Sequence, residues 1–438
     1  MLQRRQKGVF MNIPNAITER INKYTDKLSS HPKLQALYKS CYLFPFSDNL
    51  IKKCSDGTYF LKTGDIPAMW LRDSTAQITH FLSISDNPEI ADIIDGTIRR
   101  QFMYIEIDSY ANSFNKTANG NGHKEDIPQN HPHVYERKYE IDSLCYPIRL
   151  LYLYWKKSSR DEIIKEKLET IAEIIINQFK AEQHHFELSP YKFYRTDLYR
   201  GCELDTLPNN QKGNPVAYTG MTWCGFRPSD DGCQYGYLTA SEMFAVVILG
   251  YMSEMLENVC HNHTLSLKCR LLAVEIDRGI QKYCIVNHKK YGEIYAYETD
   301  GMGNYVLHDD ANIPCLLSIP YIGYENADSK IYKNTRKFLL SRDNPYYFVG
   351  KCAKGIGSPH TPKNYIWHLS LIMQGLTSTS AREKREILNT LINTDADTGL
   401  LHEGFNADNP YEFTRESFAW PNALAAEFIE KCADEKII

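Results

Sequence analysis

Apolar residues recur at helical spacing along most of this chain, and that period excludes more folds than any other feature of the sequence. The segments lie near 15–29, 33–42, 75–84, 88–107, 142–157, 160–180, 240–258, 265–287, 327–341, 362–376, 381–393 and 421–434. In the 160–180 segment, Ile163, Ile164, Leu168, Ile171, Ile174 and Ile175 form one stripe, with Lys and Glu opposite. Thr239 with Glu242, and Ser74 with Gln77, read as capping boxes that open two of the helices. The strand-like runs, Phe186–Leu188 and Tyr291–Tyr297, are short, and no regular βα alternation appears, which disfavours an α/β barrel. The pattern predicts an all-α chain. About a dozen helices can pair as six hairpins in a closed double ring, although periodicity alone leaves an irregular helical array open. For 438 residues we expect one large domain spanning 1–438.

Between the helices run long stretches near 108–140, 184–238, 290–326, 343–361 and 394–420 that are rich in Tyr, Trp and Phe. Loops of this length in a compact domain are usually functional or disordered, and their aromatic content argues for ordered, substrate-facing loops. The chain as a whole has 30 Tyr, 18 Phe and 5 Trp, flat amphipathic rings that suit a sugar binder. A net charge of −4 provides no basic field for nucleic acid. The twelve cysteines lack the short paired spacing of a zinc ribbon, and Asn12, Pro14 and Asn15 stand where a signal peptide would be apolar. The reading is a cytoplasmic chain. Met243–Met252, the longest apolar stretch, is interrupted by Gly250 and is too short to span a bilayer, so no membrane anchor is expected.

Three constellations carry chemistry. Gly64–Ser74 (Gly-Asp-Ile-Pro-Ala-Met-Trp-Leu-Arg-Asp-Ser) places an indole, a guanidinium and two carboxylates before a helix. Trp70 can stack on a sugar face, and Arg72 and Asp73 can bond vicinal hydroxyls; alternatively Asp73 or Ser74 caps the helix and Arg72 pairs with Asp65. Met221–Tyr237 contains the adjacent carboxylates Asp230 and Asp231, whose mutual repulsion in an aromatic loop can keep one protonated as a general acid. Its Ser-Asp-Asp-Gly core is also ordinary turn chemistry. In 395–421, Glu403 lies beside His402 between two turn-forming stretches and can hold a water for attack. A solvated loop glutamate is the plainer account, and Asp408 and Glu416 are rival bases.

His308–Pro314 and Gly355–Pro362 offer further hydrogen-bonding groups, with His308 and His360 as candidate pocket residues. His308 with Asp309 and Asp310, or His261 with His263, superficially resembles a metal site, but neither has a recognised ligand spacing. We expect no metal and no cofactor.

Taken together, Asp65–Ser74, Phe226–Gly232 (Phe-Arg-Pro-Ser-Asp-Asp-Gly) and His402–Gly404 resemble glycoside hydrolase family 125 in content and order, over about Leu43 to Cys432. Residues 1–12 fall outside the resemblance and are expected to be a flexible extension. The resemblance implies an (α/α)6 toroid with loops forming a pocket at one end. It also implies an exo-acting, inverting, metal-independent α-mannosidase that removes terminal α-1,6-linked mannose from mannosides or N-glycan-derived oligosaccharides. By motif position the general acid falls on Asp230 and the general base on Glu403. Trp70, Arg72, Asp73, Asp231, His308 and His360 are the candidate substrate-binding residues, and the expected partner is a mannose-containing oligosaccharide.

Overall fold

The computed structural model describes residues 13–47, 50–196 and 204–438. The expected extension at residues 1–12 lies outside them. Thirteen helices build the two layers: α1 (Asn15–Lys27), α2 (Pro32–Leu43), α3 (Leu71–Ala76), α4 (Pro88–Ile107), α5 (Ile141–Ser158), α6 (Glu162–Glu182), α7 (Thr239–Met255), α8 (His263–Tyr283), α9 (Ile319–Ile322), α10 (Lys330–Leu339), α11 (His368–Leu376), α12 (Ala381–Leu391) and α13 (Ala419–Asp434). Contacts run from α3 to α5, α5 to α7, α7 to α9, α9 through the turn Leu316–Ser318 to α11, α11 to α13, and α13 back to α3. The odd-numbered helices from α3 onward thus close an inner ring. Outside it, α4 packs on α6 and α6 on α8, while α2 packs on α13 and α12 on α11. A continuous apolar cluster from Ile17 to Cys432 fills the space between the layers. Each fully buried Ile or Leu in it contributes about 1.5–3 kcal/mol.

The side-chain helix caps among these thirteen helices are confined to four outer ones. Asn87 caps α4, Asn262 caps α8, Ser329 caps α10 and Ser380 caps α12, each side chain accepting from a backbone N–H of the first turn. Inner helices α3, α5, α7, α11 and α13 have no side-chain cap and are entered from extended residues Trp70, Glu140, Leu238, Trp367 and Phe418. Three of those entries are strands of small antiparallel sheets: Met69–Trp70 pairs with Ser113–Phe114, Tyr237–Leu238 with Glu298–Thr299, and Tyr365–Trp367 with Gly404–Asn406. Sheet pairing therefore fixes where each of these inner helices starts.

The helical periods agree with the structure to within a few residues along most of the chain. The departures cluster at the inner ring. Neither expected capping box forms: Thr239 is the first helical residue of α7, with Glu242 accepting from the Thr222 N–H at 3.1 Å, and Ser74 lies inside α3. Phe186–Leu188 is part of a one-turn helix, His185–Leu188, and is not a strand. Tyr291–Tyr297 does contain one, Gly292–Tyr295, paired with Ile285–His288.

Candidate active site

A cavity of about 270 Å³ opens where the inner helices begin. Thr63, Ile66, Trp70, Arg72 and Asp73 reach it from the approach to α3, Pro228, Ser229 and Asp230 from the loop before α7, and Asn312 from before α9. His360 and Trp367 come from before α11, and Glu403, Arg415, Phe418 and Trp420 from the approach to α13. Asp230 and Glu403, remote in sequence, line the same space.

The Asp230 loop is a turn as well as a wall of the cavity, so both readings of Ser-Asp-Asp-Gly hold. The Asp230 N–H donates to the Arg227 carbonyl at 2.9 Å and the Arg227 N–H to the Asp231 carbonyl at 2.7 Å, closing a bridge between Phe226 and Gly232. Asp230 has φ 69°, a left-handed conformation that Asp tolerates better than most residues. Lys138 Nζ donates to the Asp230 carbonyl at 2.7 Å, Ser229 Oγ to Asp310 at 2.8 Å and Asn312 Nδ2 to the Pro228 carbonyl at 2.8 Å. Three anchors from other segments hold one strained turn.

Behind Asp230 lies an unusual density of acids. Arg72 pairs with Glu140 and Asp142 (Nη1 to Oδ2, 3.1 Å), with Asp73 at 3.4 Å and with Asp230 Oδ1 at 3.7 Å. Four carboxyls share one guanidinium. Asn112 Nδ2 stands 3.2 Å from Asp230 Oδ1, 3.2 Å from Glu140 Oε1 and 3.0 Å from Glu136 Oε2. Burial pushes the Asp73 carboxyl up to about 6 against the pull of Arg72 and Arg415. Glu136 goes the other way, to about 2, because Lys138 and Arg195 outweigh its burial.

Glu403 has a guanidinium of its own. Arg415 Nη1 lies 3.7 Å from Glu403 Oε1, while its Nη2 donates to Asp65 at 2.6 Å. Glu403 immediately precedes the strand Gly404–Asn406, which is paired with the strand leading to α11. The His402 ring stacks on Phe413 at 3.7 Å and bonds the Arg415 carbonyl at 3.1 Å, bracing the loop from below. His360 Nδ1 lies 3.1 Å from Asp231 Oδ1. Burial alone would lower the His360 pKa, but the bond to Asp231 and its charge outweigh this, with help from Glu403 and Asp230, and lift it to about 9. The ring is deep in the molecule yet 39% exposed, because it opens onto the cavity. It is a cation at neutral pH.

Of the expected binding residues, Trp70, Arg72, Asp73 and His360 line the cavity and Asp231 sits one layer back, holding His360. His308 is not on the wall: it is buried between Tyr297 and Tyr346, and burial with the nearby Arg227 charge lowers it to about 3. Its neighbour Asp309 accepts from the Leu316 and Leu317 N–H groups at 2.9 and 3.1 Å, so the acids that suggested a metal site anchor backbone and the Asp230 loop. Asn262 caps α8 and His263 pairs with Glu257. Arg72 does not pair with Asp65, whose partner is Arg415, and neither Asp408 nor Glu416 is a lining residue.

Asn312 comes from the His308–Pro314 stretch expected to supply hydrogen bonds, whereas sequence reasoning missed Asn112, Glu140, Asp142, Trp367, Arg415 and Trp420. Glu140 and Asp142 carried a signal, two acids at the start of a strongly apolar helix; Asn112 carried none. Among the described residues, Thr63 Oγ1, Trp70 Nε1, Asp73 Oδ2 and Asn312 Oδ1 have no hydrogen-bond partner. They belong to residues that line the cavity, whose indole walls suit the apolar face of a sugar ring.

A double helical ring with acid-bearing loops at the starts of its inner helices is the architecture of the (α/α)6 glycoside hydrolases. A Saccharomycopsis fibuligera glucoamylase shares the fold at 12% identity, with a TM-score of 0.58 and coverage of 99% of this chain and 98% of that one. A Streptococcus pneumoniae protein is far nearer, at 40% identity and TM-score 0.93 over 97% of this chain and 99% of its own. It is described as a metal-independent α-mannosidase in a non-productive substrate complex with α-1,6-mannobiose. The Meiotically up-regulated gene 157 protein of Schizosaccharomyces pombe is 36% identical over 393 residues, 85% of this chain and 76% of that protein. The model of glycoside hydrolase family 125, the metal-independent α-mannosidases, matches residues 31–430. The chain belongs to that family and is a glycoside hydrolase.

Proposed function

We propose that this enzyme removes single terminal α-1,6-linked mannose residues from the non-reducing end of mannosides or N-glycan-derived oligosaccharides, with inversion at the anomeric carbon and without a metal ion. The observation that carries the reading is that Asp230 and Glu403, remote in sequence, line one cavity, each beside its own guanidinium. Asp230 stands among Glu140, Asp142, Asp73 and Arg72, whereas Glu403 stands near the cations Arg415 and His360. In an inverting hydrolase one protonated carboxyl assists the departing oxygen while the opposite carboxylate takes a proton from attacking water, roughly 6.5–9.5 Å away. In this reading Asp230 is the acid and Glu403 the base. A volume of about 270 Å³ is below the roughly 300–1,000 Å³ of larger ligand pockets, which suits one ring and exo action. Trp70, Arg72, Asp73 and His360 line the mannose site, and Asp231 keeps His360 charged. We further place the enzyme in the cytoplasm, where the eleven cysteines of the described residues would stay the free thiols they are here.

Proton NMR of α-1,6-mannobiose digestion with chelator present tests the proposal. β-Mannose should appear first, before mutarotation. Initial α-mannose would refute inversion, a requirement for inorganic phosphate would make the enzyme a phosphorylase, and inhibition by chelator would refute metal independence.

A further inference from the structure

Glu140 touches no part of the cavity, yet it is tied to Asp230 twice. The Arg72 guanidinium spans the two, with Nη1 on Glu140 and Nη2 on Asp230, and Asn112 Nδ2 lies equidistant, at 3.2 Å, from an oxygen of each. Ser143 Oγ donates to the other Glu140 oxygen at 3.0 Å. The groups facing Glu140 are therefore Arg72 and Asp73 from α3, Asp142 and Ser143 from its own helix, Glu136 and Lys138 from the segment before it, Asn112, and Asp230. Lys138 and Arg195 are taken up by Glu136, and the one remaining guanidinium cannot balance Glu140, Asp142, Asp73 and Asp230 at a site where the Glu140 and Asp142 side chains are 0% exposed, so a proton stays in the cluster.

We propose that Glu140 and Asp230 form a carboxyl pair sharing one proton, with Glu140 acting as the positioning residue that keeps Asp230 supplied with it. This deepens the reading of Asp230 as the acid and rests on it. Burial drives the Glu140 carboxyl far up, against Arg72, and the charges of the neighbouring Asp230 and Asp142 carboxyls add to the rise. In each turnover the pair gives its proton to the glycosidic oxygen as the bond to the anomeric carbon breaks, and attacking water passes a proton to Glu403. Two carboxylates then face each other beside one shared guanidinium. Their repulsion draws a proton from solvent, Glu403 releases one, and the cycle closes with no net change.

The test compares pH profiles of kcat/KM on α-1,6-mannobiose. Glu140→Gln keeps the shape but removes the charge, so the alkaline limb should move down by about one pH unit or more, with KM little changed. An aryl mannoside whose leaving group needs no proton should lose much less. Asn112→Ala removes donors that favour the ionised pair, so its limb should move up. Opposite shifts cannot come from general damage, and the Asn112→Ala profile still tests the pair if Glu140→Gln does not fold. An unmoved limb in Glu140→Gln, or a downward shift in Asn112→Ala, overturns the shared proton. Asp230→Asn separates this from the parent reading: equal losses on both substrates refute Asp230 as the acid. A loss confined to mannobiose, with an unmoved Glu140→Gln limb, refutes Glu140 alone.

Discussion

One buried carboxylate holds both ends of the loop that carries Asp230. Glu298 Oε1 accepts from Arg227 Nε at 2.5 Å and Oε2 from the Tyr235 N–H at 2.8 Å, and the Glu298 side chain is 0% exposed. Glu298→Gln preserves the shape and one acceptor but leaves Arg227, itself buried, without its paired charge. Removing one partner of such a pair costs about 3–5 kcal/mol. Asp310 also feels the Arg227 charge, so we expect the lower end, about 3 kcal/mol. At about 1.4 kcal/mol per tenfold, that raises the population of the opened loop roughly 150-fold. Hydrogen-exchange mass spectrometry of peptides spanning 222–237 should show protection falling by about two orders of magnitude, with kcat falling alongside. Arg227→Met should be as labile, since it strands the other charge. The double variant Arg227→Met, Glu298→Met should recover most of the protection, because an apolar pair replaces an ionic one at little cost. Unchanged exchange in Glu298→Gln, or a double variant as labile as the two singles added, would show that the pair does not hold the loop.

Gly64→Ala should abolish or strongly destabilise the fold, because φ is 147° and a Cβ would overlap the Ser417 carbonyl where the loops before α3 and α13 meet; Gly57→Ala, with φ 82° and open space, should cost only about 1–2 kcal/mol in urea unfolding. The His360 pKa is raised from 6.5 to about 9 on folding, so its proton stabilises the folded state fully below about pH 6.5 and that contribution is lost as pH rises through about 9. The melting-temperature gap between wild type and His360→Asn should therefore be steady near pH 6 and narrow by pH 10; a gap that widens contradicts the pairing with Asp231. Arg415→Met removes the cation beside Glu403 and Asp65, so kcat on α-1,6-mannobiose should fall at least about tenfold, and an unchanged kcat would argue against a role for that contact.

Helices were legible because a stripe such as Ile163, Ile164, Leu168 and Ile171 has only one way to bury itself. α4 was readable to both ends, since Asn87 followed by Pro88 is a cap with its own chemistry. α3 and α11 were not, because their starts are set by pairing with Ser113–Phe114 and Gly404–Asn406, partners that no local window contains. The same distinction divides the site. Trp70, Arg72, Asp73, Asp230 and Glu403 stand in dense polar and aromatic clusters and could be found as clusters. Asn112 and Glu140 act only through groups brought to them by the fold. His308 misled for the opposite reason: it adjoins two acids in sequence, but Asp309 turns to the amides of Leu316 and Leu317, leaving the imidazole buried between two tyrosines.

What joins the two halves of that observation is the direction of the inner ring. Every cavity residue lies in the approach to, or the first turn of, one of its helices, and none of those six helices has a side-chain cap. The positive ends of their dipoles therefore gather around the cavity. Carboxyls such as Asp73 and Asp142, each in the first turn of its helix, find there a field that favours them. That field, together with Arg72, makes so many buried acids tolerable in a small volume. Four of the outer helices, α4, α8, α10 and α12, are capped by their own Asn and Ser side chains and need nothing from the site. A toroid of this kind therefore concentrates its chemistry where chain segments far apart in sequence enter the inner ring. Polar and aromatic residues just upstream of an uncapped apolar helix are the place to look for it.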